Sequence, residues 1–305
     1  MMLRPSLFIA AALFAAPASA QTTPAATARS PECLVRITAT PTSWLIQGFD
    51  PFDNRSPEGS FNVTFFNEGG SECRITPVFE LPQLPFGLKK NGGTAVRYAL
   101  LNLSDSRDVT PYAARSLRKF SDPELVLAPN QSKMLTYKLV VDPSQVREAG
   151  MFTQDVTIDA QDRSFVSFGS TDLVLGIQVL PSARMGLSGA YSMNKGQAVV
   201  DLGELRTGIA PVVLGLYVNS TGSYDLQVSS SNLGKLRLGS TEWTVPYAIS
   251  IGGDAINLSG VSSLSKPAGA APLLDPLDIQ FVIGDVSDRR AGTYSDVISI
   301  SVTAR

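Results

Sequence analysis

The chain carries one sequence pattern twice, and the second copy stops one strand short. Residues 135–158 read Leu-Thr-Tyr-Lys-Leu-Val-Val, a polar link, Ala149-Gly150-Met151-Phe152, then alternating positions that include Val156 and Ile158. Residues 277–302 read Leu-Asp-Ile-Gln-Phe-Val-Ile, a polar link, Ala291-Gly292-Thr293-Tyr294, then Ile298, Ile300 and Val302 in alternation. The first copy continues into a further alternating segment with Leu173, Leu175, Ile177 and Val179 on one face. The second reaches Arg305 without one. Alternation with a period of two marks strands with one face in a core. A sheet that lacks its last strand leaves an unpaired edge and an unfilled interior. A strand supplied by another protein would satisfy both needs.

The repeat extends upstream. Phe61, Val63 and Phe65 alternate, then a turn with Asn67, Gly70 and Ser71 leads to Cys73 and Ile75. Val212, Leu214 and Leu216 alternate, then a turn with Asn219, Gly222 and Ser223 leads to Tyr224 and Leu226. No stretch sustains a helical period, and short alternating runs end at Gly, Pro, Asn and Asp, so the chain reads as all-β. The expected organisation is a β-sandwich over 33–180, a linker at 181–184 and a second, incomplete sandwich over 185–305. The two halves differ in their middles. Residues 81–125, with Leu84, Phe86 and Leu88 near their start, form an insertion in the first half, the kind of segment that carries specificity or folds over its own core.

Residues 1–20 read as a secretory signal, with Arg4, an apolar run from Leu7 to Ala16 and Ala18-Ser19-Ala20 as the cleavage site. Residues 21–32 are a polar, Pro-containing tail without a large apolar residue. Net charge is −2, which gives no electrostatic case for nucleic acid. The basic group Arg115, Arg118 and Lys119 reads as a solvated face. In an exported chain the pair Cys33 and Cys73 reads as a disulfide, the alternative being two buried thiols.

The sequence contains no histidine, which excludes Ser-His-Asp and Cys-His catalysis and histidine metal sites. No Walker-type loop is present, and Gly69-Gly70, Gly92-Gly93 and Gly252-Gly253 read as turns. Asp50, Asp53, Asp155 and Asp159 are carboxylates without a catalytic spacing. The expectation is a protein that is not an enzyme and takes no metal or cofactor.

Two segments carry a resemblance. Ala39-Thr40-Pro41 followed by Ile46-Gln47-Gly48-Phe49-Asp50-Pro51-Phe52 resembles the opening of the spore coat protein U domain, and Ala291-Gly292-Thr293-Tyr294-Ser295-Asp296 with the strand after it resembles that domain's end. The family often places a cysteine in its second strand, where this chain has Phe65 and Phe66. Such domains build archaic, Csu-type chaperone–usher pili. The resemblance implies two immunoglobulin-like sandwiches, the second lacking its last strand. It implies a periplasmic chaperone and an outer-membrane usher as partners, and a donor strand from the N-terminus of the adjacent subunit. In that scheme Leu214, Leu216, Ile298, Ile300 and Val302 line the acceptor groove. The tail at 21–32 offers no donor strand, so the chain receives but does not give. That pattern resembles a two-domain tip adhesin at the end of a cell-surface fimbrium, with an unknown surface ligand. Leu84, Phe86 and Leu88 are the expected adhesive contacts. The competing readings are a structural coat or pilus subunit without a ligand, a periplasmic chaperone and a secreted glycosidase.

Overall fold

The computed structural model describes residues 32–53, 55–91, 93–111, 122–267 and 275–305. The signal segment, the tail up to Pro31 and the group Arg115, Arg118 and Lys119 lie outside them.

The described residues of the first half form ten strands. They are β1 (Val35–Ala39), β2 (Ser43–Phe49), β3 (Glu58–Asn67), β4 (Cys73–Glu80), β5 (Tyr98–Asn102), β6 (Arg107–Asp108), β7 (Leu125–Leu127), β8 (Ser132–Val141), β9 (Gly150–Gln161) and β10 (Ser167–Val179). One sheet runs β1-β3-β8-β5-β6 and the other β2-β10-β9-β4-β7. The β2–β10 pair is parallel, whereas β10 and β9 pair antiparallel. The alternating residues Phe61, Val63 and Phe65 of β3 meet Ile75 and Phe79 of β4 and Val156 and Ile158 of β9 in one core. Tyr137 on β8 joins it, its ring edge-on to Phe79 at 4.8 Å. Gly169 on β10 is required by close approach, since a Cβ there would stand 1.8 Å from the Val35 carbonyl oxygen. That approach brings β10 against β1 across the sandwich.

The second half has its own core, built on Leu214, Leu216, Leu226, Val228, Ile249 and Ile279. Its strands are β11 (Ala183–Gly189), β12 (Ser192–Asn194), β13 (Gln197–Val199), β14 (Gly208–Ile209), β15 (Leu214–Ser220), β16 (Tyr224–Ser230), β17 (Lys235–Leu238), β18 (Thr244–Ile251), β19 (Asp254–Ile256), β20 (Ser262–Lys266), β21 (Asp275–Ile283), β22 (Tyr294–Ser295) and β23 (Ile298–Ala304). The larger sheet follows β11-β15-β21-β18-β17-β22, the smaller β20-β16-β23, and β12 with β13 forms a separate hairpin.

The two halves share a plan. β15 lies between β11 and β21 as β3 lies between β1 and β8. β16 lies between β20 and β23 as β4 lies between β7 and β9. Among the described residues nothing beyond β23 corresponds to β10 and β2.

The junction is short. β11 begins at Ala183, inside the segment expected as a linker. Thr221, 2% exposed, ties the halves together from the β15–β16 turn. Its N–H donates to Ser182 O (3.0 Å), its carbonyl accepts from Ala149 N (2.9 Å), and its hydroxyl accepts from Ser182 N (2.9 Å) and donates to Leu180 O (3.2 Å). Beside it Arg184 pairs with Asp53 at 3.0 Å.

Candidate functional site, an open side of the second sandwich

The internal repeat supplies its own control. Val156, Ile158 and Ala160 on β9 are fully buried. Their counterparts on β23, counted from the shared Ala-Gly motif, are Ile298, Ile300 and Val302, and all three are only half-buried. The same contrast holds across the gap. Val35 and Ile37 on β1 are 3% and 7% exposed. The equivalent positions on β11 are Met185, 38% exposed, and Leu187, half-buried. In the first sandwich β10 covers both margins. It pairs with β9, setting Leu173 opposite Val156 and Ile177 opposite Phe152, and turns Leu173, Leu175 and Ile177 into the core.

The second sandwich therefore has two strand edges facing a gap. Among the described residues β11 pairs only with β15, and β23 only with β16, from Ile298 opposite Ser230 to Ala304 opposite Tyr224. Ile298, Ile300 and Val302 at alternate positions of β23 pack against the core and stay half-buried, separated by exposed Ser299, Ser301 and Thr303. The lining is aliphatic, so the chemistry on offer is burial of alternate apolar side chains together with main-chain pairing. Both ends of β23 are anchored. At its start the Asp296 carboxylate accepts from Tyr247 Oη (2.6 Å), Asn232 N (2.9 Å), Val297 N (2.8 Å) and the Ser230 hydroxyl. Burial, and then the bond to Asp296, raise the Tyr247 hydroxyl well above the usual tyrosine range. At its end Arg305 N donates to Ser223 O (2.8 Å) and its guanidinium meets Asp225 at 2.5 Å. The Ser265 hydroxyl, with Arg305, holds the Asp225 carboxyl below the usual carboxylate range.

Of the expected groove residues, Ile298, Ile300 and Val302 lie half-buried on the edge strand β23. Leu214 and Leu216 do not. They are 5% and 2% exposed and sit on β15, one strand behind the edge, opposite Gly189 and Leu187 of β11. They belong to the core behind the gap, since alternation fixes which face a residue takes but not its distance from an edge.

Leu84, Phe86 and Leu88 do not form a common exposed surface. Leu84 is 62% exposed. Phe86 is half-buried with its ring 4.7 Å from that of Tyr98. Leu88 is fully buried, because its main chain bridges Val96 in both directions (2.9 and 2.8 Å) and carries the side chain inward. This segment also lies toward the junction, where Lys90 Nζ reaches Ala149 O at 2.8 Å. Phe165 and Val166, 51% and 52% exposed, stand in the β9–β10 turn at the far end. Asp162 shapes that turn by accepting from Ser164 N (2.7 Å) and Val166 N (2.9 Å). Two large apolar residues inside the polar turn Asp162-Arg163-Ser164-Phe165-Val166 were a legible signal that alternation alone passes over.

Cys33 and Cys73 form a disulfide with Cα atoms 5.4 Å apart. It joins the start of β1 to β4 in the opposite sheet, also at the far end. Asp50 holds the N–H of Phe52 (2.9 Å), Asp53 serves the junction, and Asp159 accepts from Gln161 Nε2 (2.8 Å) and from Ser167 Oγ (2.5 Å). These carboxylates have separate structural duties.

No protein-family model matches the sequence, and no curated protein matches it either. Among solved structures, the chain is similar to the CsuC–CsuE chaperone–tip adhesion subunit pre-assembly complex of archaic chaperone-usher Csu pili from Acinetobacter baumannii. That likeness has 15% identity, covers 85% of this chain and 97% of that one, and has a TM-score of 0.43. It is also similar to a chaperone–tip adhesin complex of CFA/I fimbriae (14% identity, 92% and 86% covered, TM-score 0.38). A third is CfaE, the adhesive subunit of CFA/I fimbria of enterotoxigenic Escherichia coli (10% identity, 88% and 81% covered, TM-score 0.34).

Proposed function

We propose that this chain is a two-domain subunit of an exported chaperone–usher fibre, placed at its tip. The second sandwich accepts a strand from the adjacent subunit, and the first is presented outward to bind a surface. One observation carries this reading. Positions that β10 buries in the first sandwich are left open at the equivalent places in the second. A strand entering antiparallel to β23, as β10 runs against β9, would set alternate apolar side chains against Ile298, Ile300 and Val302. Each side chain so buried contributes about 1.5–3 kcal/mol. Before assembly a periplasmic chaperone would occupy the same gap, and an outer-membrane usher would exchange it for the donor. The first sandwich holds its own β10 and needs no such help. Its far end, with Phe165 and Val166, would then meet the surface, rather than the segment of Leu84 that lies near the junction.

Amide hydrogen exchange tests this on the full exported chain, alone and co-expressed with its chaperone. The expected result is fast exchange along β11 and β23 in the free protein, protection of both with the chaperone, and unchanged protection in 33–180. Full protection of β11 and β23 in the free protein would overturn it.

A further inference from the structure

We propose that Met185, on the open margin of the second sandwich, is a site of reversible oxidation by peroxides, and that its sulfoxide impedes the entry of a donor strand. The inference rests on the strand-acceptance reading and adds a control to it. The chain has six methionines, of which Met1 and Met2 fall in the expected signal. The other four, Met134 on β8, Met151 on β9, Met185 on β11 and Met193 on β12, are all exposed. Of these Met185 alone lies on one of the two strand edges that face the gap.

Met185 takes the same face of β11 as Leu187, which packs against the second core. It stands opposite Val218 of β15, which is buried. Met185 itself is 38% exposed. The repeat shows what a strand in the gap does to this position. Val35, its counterpart on β1, is 3% exposed. There β10 passes so close that a Cβ on Gly169 would stand 1.8 Å from the Val35 carbonyl oxygen. A strand seated in the second sandwich as β10 is in the first would close over Met185 in the same way. The thioether is therefore open to solvent while the gap is empty and enclosed once it is filled.

The chemistry needs only a peroxide. A lone pair of the Met185 sulfur attacks one oxygen of hydrogen peroxide and the O–O bond breaks. The sulfur is oxidised by two electrons to the sulfoxide. The proton on the transferred oxygen passes to the departing hydroxide, which leaves as water. The product replaces a flexible apolar side chain by a polar one. Leu187 and Val218, its neighbours on the core side, offer no side-chain donor to the new oxygen. A strand closing over it would bury a polar atom without a partner, which is costly. Oxidation thus acts on chains whose gap is empty, and a seated strand shields the sulfur. Methionine sulfoxide reductases reverse the change.

Limited treatment with hydrogen peroxide tests the proposal on the full exported chain, alone and co-expressed with its chaperone, the sulfoxides being located by peptide mass spectrometry. Met185 should be oxidised readily in the free chain and much more slowly in the complex, while Met134 and Met151 of the first sandwich keep their rates. The oxidised free chain should bind a peptide copying residues 167–179 about tenfold more weakly, and methionine sulfoxide reductase should restore the affinity. Peroxide should leave the affinity of Met185→Leu, whatever its starting value, unchanged. Met185→Val, which carries the residue of the first copy, repeats the test if Met185→Leu does not fold. Equal oxidation of Met185 with and without chaperone would overturn the proposal and leave strand acceptance standing. So would a peptide affinity that peroxide does not change, or lowers equally in the variant. A chain that takes neither chaperone nor peptide along β11 and β23, read by amide exchange, would overturn both.

Discussion

Ile158 and Ile300 occupy the same position in the two copies of the repeat, which makes them a matched pair for measuring the gap. Ile158 is fully buried, with Thr171 of β10 on one side and Phe79 of β4 on the other. Truncating it removes apolar atoms from water-free surroundings and leaves a closed void, so Ile158→Ala should cost ~3–4 kcal/mol. Ile300 has Val228 on one side and, among the described residues, no strand on the other. Solvent already reaches it, and no closed void results. Ile300→Ala should cost only ~1–2 kcal/mol. Each half contains one of the two tryptophans. Trp44 packs near Phe61 (5.6 Å) and Trp243 beneath Arg290 (4.9 Å). Urea unfolding followed by fluorescence can therefore read each sandwich alone, with Trp243→Phe isolating the first and Trp44→Phe the second. A peptide copying residues 167–179, added in excess, should raise the cost of Ile300→Ala toward that of Ile158→Ala and leave the latter unchanged. Equal costs without peptide would mean that the second sandwich is already closed, and the argument from the repeat would fall.

Two further outcomes follow from the same structure. Replacing both Cys33 and Cys73 by Ser should destabilise the first sandwich by about 3–4 kcal/mol, the loop-closure term for a separation of 40 residues, while the Trp243 transition stays in place. Tyr98, Tyr137, Tyr224 and Tyr247 all have hydroxyls raised by burial, with Asp275 and Asp296 adding to the last two. Their folded pKa lies above the unfolded value of about 10, so their stabilisation is complete below pH 10 and is lost as pH rises toward the folded values. Absorbance at alkaline pH should show these four ionising only as the chain unfolds. Ionisation of all four near pH 10 in the folded protein would contradict their enclosure.

The sequence told most about what repeats and least about what is brought together by tertiary contact. Alternation located β3, β8, β9 and β10, and the shared Ala-Gly motif aligned β9 with β23, because period two is a property of the strand itself. The move of the chain from β1 in one sheet to β2 in the other left no mark in alternation, and β2 pairs across about 130 residues of sequence with β10. Leu88 reads as a loop residue and is buried, because its bridge to Val96 is a local main-chain event set by the residues around it. Leu214 and Leu216 showed their face but not their depth.

Thr221 gives the molecule a path for mechanical load. A pull along the long axis does not pass through Pro181 and Ser182 alone, because Thr221 is bonded at once to Ala149, Leu180 and Ser182. Ala149 precedes β9 and Leu180 follows β10, the two adjacent inner strands of their sheet. Tension therefore enters the first sandwich along two strand axes. The bonds that join those strands to their outer neighbours, β9 to β4 and β10 to β2, are loaded side by side in shear and must yield together, instead of opening one after another from an edge.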